Sequence, residues 1–92
     1  MKITYDDIFT ERLKVQIDFI ANDKPSIAKK VKRKILNQIK EIPKFPFSYR
    51  KSIFFDNENI RDLIVSGYTI VFEISENEIY VFGFRKNQEN IV

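Results

Sequence analysis

The chain contains no cysteine and no histidine. The first absence excludes disulfides, thiolate metal sites and cysteine nucleophiles. The second excludes Ser–His triads, imidazole metal ligands and an imidazole general base. Two glycines, Gly67 and Gly83, are too few for the loops that cradle phosphates in nucleotide-binding folds. No apolar run approaches the ~18 residues of a membrane span. No secretory signal is readable at Met1, so a cytoplasmic location without membrane attachment is expected. What is present is an ordinary globular mixture, 43% hydrophobic and 32% charged over 92 residues. One domain spanning residues 1–92 is expected. Nine Phe and four Tyr supply much of the area that so small a core can bury.

The net charge of +3 conceals an uneven distribution. Residues 24–51 carry ten basic side chains against one acid, Glu41, whereas the segments on either side are net acidic. Such asymmetry points to a nucleic acid or an acidic protein partner. A plain solvated helix face accounts equally well for Lys29, Lys30, Lys32, Arg33 and Lys34. It accounts less well for Lys44, Arg50 and Lys51, which lie among aromatics outside any helical pattern.

Met1–Tyr5 reads as a short strand. Asp6 is a candidate N-cap, and Ile8, Phe9, Leu13, Ile17 and Ile20 recur at helical spacing, predicting a helix over 7–21. Pro25 suits the first turn of a second helix. Ile27, Val31, Ile35, Ile39 and Ile42 carry that helix to residue 41, where Pro43 stops it. Lys44–Ser52 has no periodicity, and Pro46 forbids helix there. Ile53–Phe55 is a candidate short strand and 56–59 a turn. Ile60–Val65, Tyr68–Ile74 and Ile79–Arg85 alternate as strands of a meander, turning at Ser66-Gly67 and at 75–78. Asn87–Val92 reads as a loose tail. The expected fold class is α+β: an N-terminal strand, then a helical hairpin packed on a three- to four-stranded antiparallel sheet.

This order, with Phe45-Pro46 after the second helix, Ile60-Arg61-Asp62-Leu63, Gly67–Ile74 (GYTIVFEI) and Arg85-Lys86 closing the last strand, resembles the RelE/ParE superfamily of toxins from type II toxin–antitoxin modules. The similarity spans essentially the whole chain. Phe72 stands at the family's usual tyrosine and Thr69 at its usual arginine. The resemblance implies a small toxin neutralised by a cognate antitoxin. RelE-like members enter the ribosome and cleave mRNA, whereas ParE-like members inhibit DNA gyrase without nuclease chemistry. It implies no cofactor and no metal.

For RNA cleavage, the resemblance puts Arg61 and Arg85 near catalytic or phosphate-binding positions. Lys51 is the candidate general base, on the expectation that Arg50 and Arg61 crowd it and lower its pKa. Tyr49, Arg50, Lys44 and Lys86 are the candidate nucleic-acid contacts. Structural readings stand beside these. Arg61 could pair with Glu73 across the strands, Arg85 and Lys86 could simply discourage edge pairing, and Tyr68 and Tyr80 suit core or rim positions. No aromatic follows Phe84, and with histidine absent this weakens the ribonuclease reading. The antitoxin is expected to bring acids to Lys44, Arg50 and Lys51. A degenerate, non-toxic module of the same fold and a basic nucleic-acid-binding protein are the alternatives.

Overall fold

The computed structural model describes residues 1–87. The tail expected over Asn87–Val92 lies outside them from residue 88 onward. The elements are β1 (Lys2–Tyr5), α1 (Asp7–Asp23), α2 (Pro25–Glu41), two 3₁₀ turns (Ile42–Lys44 and Pro46–Ser48), β2 (Ile60–Val65), β3 (Tyr68–Ile74) and β4 (Glu78–Lys86).

Asp6 caps α1, its side chain accepting from the Ile8 N–H at 2.9 Å. Pro25 occupies the first turn of α2, and Pro43 falls in the 3₁₀ turn that ends it. Phe9 and Leu13 of α1 and Ala28, Ile35 and Ile39 of α2 are buried. Ile8 and Ile27, at the margins of the apolar stripes, are exposed.

The sheet order is β1-β4-β3-β2. β2, β3 and β4 form the antiparallel meander. β1 adds to it in parallel, with Lys2 opposite Glu78 and Tyr5 opposite Val81, so the four-stranded sheet is mixed. The long helical connection permits this, because parallel neighbours need a crossover and not a tight turn. Ser66 and Gly67 both take positive φ, 54° and 82°, which fits the two-residue turn between β2 and β3. The core lies between the helical hairpin and one sheet face, with Leu63, Val65, Tyr68, Ile70, Phe72, Ile74, Ile79 and Val81 meeting Phe9, Leu13, Ile35, Ile39 and Ile42.

Two features depart from expectation. Ile53–Phe55 is not a strand. Residues 50–52 instead lie along the start of β2, Lys51 bridging to Arg61 and the Ser52 N–H donating to the Ile60 carbonyl at 2.8 Å. β3 is also buried on both faces, since Thr69 and Val71 are as hidden as Ile70 and Phe72. The segment after residue 50 folds back over the second face, where Phe55 meets Phe82 edge-on at 5.6 Å. On that face β3 and β4 approach closely at a bulge beside Val71. A Cβ on Gly83 would stand 2.7 Å from the Val71 Cβ, so only glycine fits there.

Candidate functional site

Strand alternation divides the predicted cations between the two faces of the sheet. On β2, Arg61 shares the helix-facing side with Leu63 and Val65. Ile60, Asp62 and Ile64 take the other side. Arg61 sits opposite Phe72, and Ile60 sits opposite Glu73, so the expected Arg61–Glu73 pair does not form. Arg85 lies opposite Thr69, on the face away from the helices. Arg61 and Arg85 therefore belong to two different clusters.

The helix-side cluster is internally neutralised. Arg61 donates to the carbonyls of Glu58 at 2.9 Å, Tyr49 at 3.1 Å and Phe47 at 3.5 Å, and to Glu58 Oε2 at 3.4 Å. Its guanidinium lies 5.0 Å from the Phe47 ring centre, and only 14% of the side chain is exposed. Lys51 Nζ lies 3.3 Å from Asp56 Oδ1 and 3.4 Å from Glu58 Oε1. Hydrogen bonds from Lys51 to those two acids hold its pKa above the ordinary lysine value. That reverses the expected lowering, because the carboxylates of Asp56 and Glu58 favour the charged ammonium. Lys44 pairs with Glu41 at 2.9 Å. Tyr49 packs edge-on against Phe72 at 5.5 Å. Burial, aided by Glu41, raises its phenol pKa.

The second cluster surrounds a shallow cleft of about 390 Å³ lined by Arg50, Ile53, Phe54, Ile64, Thr69, Arg85 and Asn87. Arg50 is fixed by Asp62, whose Oδ2 accepts from its Nε at 3.2 Å and also from the Ile53 N–H at 3.2 Å. The Asp62 side chain is fully buried, and its Oδ1 has no partner among the described residues. Arg85 stacks over Phe54 at 5.2 Å and makes no ion pair among the described residues. Thr69 Oγ1 bonds Asn87 Oδ1 at 2.6 Å, and the Asn87 N–H donates to the Gly67 carbonyl at 2.9 Å, closing the floor. The Arg85 guanidinium, an aromatic ring and two exposed isoleucines suit an anionic group carried on an apolar body. The side chains lining the cleft are not of types that exchange protons near neutral pH. Lys86 is exposed and paired opposite Tyr68, on the helix-facing side of the strand alternation. The described residues bring no group of three or more acids together as a metal site.

Tyr68 is buried against Phe84, at 5.0 Å between ring centres. Tyr80, on the inner strand β4 between Thr4 and Glu73, donates its phenol proton to Asp6. Sequence reasoning brought Arg50 and Arg85 forward but missed Asp62, Phe54, Thr69 and Asn87 as their companions. One signal was available for Asp62: its place between Ile60 and Ile64 on a single strand face.

A third feature is an apolar groove of about 530 Å³ between the helices, lined by Tyr5, Phe9, Leu13, Ile17 and Leu36 together with Thr10, Lys14, Asp18, Lys32 and Lys40. Lys14 is paired with Asp18 at 3.0 Å, which leaves Lys32 and Lys40 as its cations without an ion pair among the described residues.

A family model described as ParE toxin of type II toxin-antitoxin system, parDE, matches residues 3–91. A solved chain of the chromosomal ParDE TA system from P. aeruginosa has the same fold, with a TM-score of 0.78 at 15% identity, covering 96% of this chain and 97% of that one. No curated protein matches the sequence.

Proposed function

The chain belongs to the ParE toxin family of type II toxin–antitoxin systems, and from that premise we propose that it arrests growth by binding DNA gyrase, not by cutting mRNA. The observation that carries this reading is Arg61. Cleavage chemistry would require its guanidinium to be available to a phosphate, yet it is committed to three carbonyls and Glu58. Lys51, the other group on which cleavage would depend, is held protonated by Asp56 and Glu58, which disfavours a general-base role. The cleft beside Arg85 supplies anion binding without proton transfer, which suffices for an inhibitor. No cofactor is required.

The test is induction followed by pulse labelling, with purified gyrase assayed in parallel. DNA breakage should precede any fall in translation, and the toxin should inhibit supercoiling. Arg85→Ala should weaken that inhibition without altering the melting temperature. Translation stopping first, with mRNA cleaved, would reject this reading in favour of a ribonuclease. Unimpeded growth would favour a degenerate module.

The cognate antitoxin is assigned here to the groove between α1 and α2, where apolar side chains lie beside Lys32 and Lys40. Lys44, Arg50 and Lys51, expected to receive the antitoxin's acids, each already face an acid of their own chain. An amphipathic antitoxin segment with acids at its margin would match the groove. Leu36→Glu should weaken antitoxin binding while leaving the cleft around Arg85 intact.

A further inference from the structure

The solvent side of α2 carries a concentration of charge that neither the core nor the proposed gyrase and antitoxin sites use. Lys29, Lys30, Arg33 and Lys34 are all exposed. None forms an ion pair among the described residues. They are also arranged against the helix's own interest. Lys29 and Arg33 are four residues apart, as are Lys30 and Lys34, and like charges at that spacing repel on a helix surface. No acid occurs in α2 before Glu41, so nothing on the helix relieves the repulsion. A face kept only for solubility would gain by mixing signs; this one does not.

We propose that this face of α2 docks on the phosphate backbone of duplex DNA. Length and charge density agree. Residues 29–34 span about 7.5 Å of helix at 1.5 Å per residue. Duplex DNA presents one negative charge per ~1.7 Å of its axis, about four over that distance, against four cations on the protein. The rest of the face argues against an acidic protein partner. Ser26, Asn37 and Gln38 are exposed there too, and Ile27 is the large apolar side chain at its edge. Protein interfaces centre on aromatic and apolar anchors, whereas nucleic-acid interfaces are more polar and more positive. The face reads no base sequence, because point-charge contacts to phosphates carry none. The inference does not depend on gyrase being the target.

The experiment is fluorescence anisotropy of purified toxin with a labelled duplex about two helical turns long, across about 50–200 mM salt. With four phosphate contacts, log K should fall against log salt with a slope of roughly −3 to −4, a loss on the order of 100-fold over that range. Lys29→Gln combined with Arg33→Gln should reduce the slope by about two. Glutamine keeps the helix propensity, so the variant should melt no lower than the parent. A control, Lys2→Gln combined with Arg12→Gln, removes the same charge elsewhere and should leave the slope unchanged. The proposal is overturned if the duplex is not bound at the lowest salt, or if the control lowers the slope as much as the α2 variant. Displacement of the duplex by polyglutamate at equal charge concentration would overturn it too, and would reassign the face to an acidic polypeptide.

Discussion

Arg50 closes on Asp62 with two nitrogens, its Nη2 at 3.1 Å and its Nε at 3.2 Å from one carboxylate oxygen that lies wholly out of solvent. This pair joins the segment after the second 3₁₀ turn to β2. Removing the arginine leaves a buried carboxylate with the Ile53 N–H as its one remaining donor among the described residues. Breaking a fully buried pair costs ~3–5 kcal/mol. Arg50 is 43% exposed, which reduces the expected cost of Arg50→Ala to about 2–3 kcal/mol. At ~4–8 °C per kcal/mol in a domain of this size, a thermal melt should resolve the change easily. A melt that coincides with the parent's would show that the pair holds nothing in place.

Phe72 is fully buried in the centre of β3, with Tyr49 edge-on against it. Phe72→Ala should therefore cost ~3–5 kcal/mol through lost burial and the cavity left behind. Chemical denaturation measures this directly. A loss under ~1 kcal/mol would mean that the ring does not pack as described.

Gly83→Ala should destabilise by about 1–3 kcal/mol, because the new methyl must push Val71 aside. The same change in a Val71→Gly background should cost less, since the Val71 Cβ and Cγ2, 2.7 and 2.9 Å from the added Cβ, are then gone. Equal costs in the two backgrounds would place the strain elsewhere.

The Asp6–Tyr80 contact should give stability a dependence on pH at both extremes. The hydrogen bond from Tyr80, followed by that from the Ile8 N–H, holds the Asp6 carboxyl below its ordinary pKa. A depressed carboxyl contributes stability above its unfolded pKa and loses it as pH falls through the folded value. The same contact raises the Tyr80 phenol. That contribution is present below the ordinary phenol pKa and is lost as pH rises through the folded value. Tyr80→Phe should therefore flatten the stability profile below about pH 4 and above about pH 10, with little change in shape near neutrality. Denaturant melts across those ranges test it, and a variant profile parallel to the parent's would dismiss the contact as a determinant.

The helices and the meander were legible because each carries a period. The fourfold steps through Val31, Ile35 and Ile39 in α2 and the twofold alternation of Tyr68–Ile74 survive whatever packs against them. The parallel docking of β1 was not legible, because a four-residue strand states its face but not its neighbour. Nor was the second buried face of β3. Thr69 reads as polar and outward until the segment around Ile53–Phe55 is known to fold over it, and that segment has no period of its own. The grouping of the candidate site residues was hidden for the same reason. Arg50 and Arg85 were found as charges, but their separation from Arg61 and Lys51 depends on which side of the pleat each residue takes. A one-residue shift of register would exchange them.

The pairing of Lys2 with Glu78 also imposes an order of events on synthesis. The first strand to emerge must wait for a partner encoded 76 residues later. At ~5–20 residues per second that delay is about 4–15 s, long compared with helix formation and hairpin closure. The helical hairpin is thus complete while the sheet that covers Phe9, Leu13, Ile35 and Ile39 does not yet exist. During that interval the nascent chain presents an apolar surface that the finished protein conceals, so chaperones and early-binding partners meet a different molecule from the one that is eventually released.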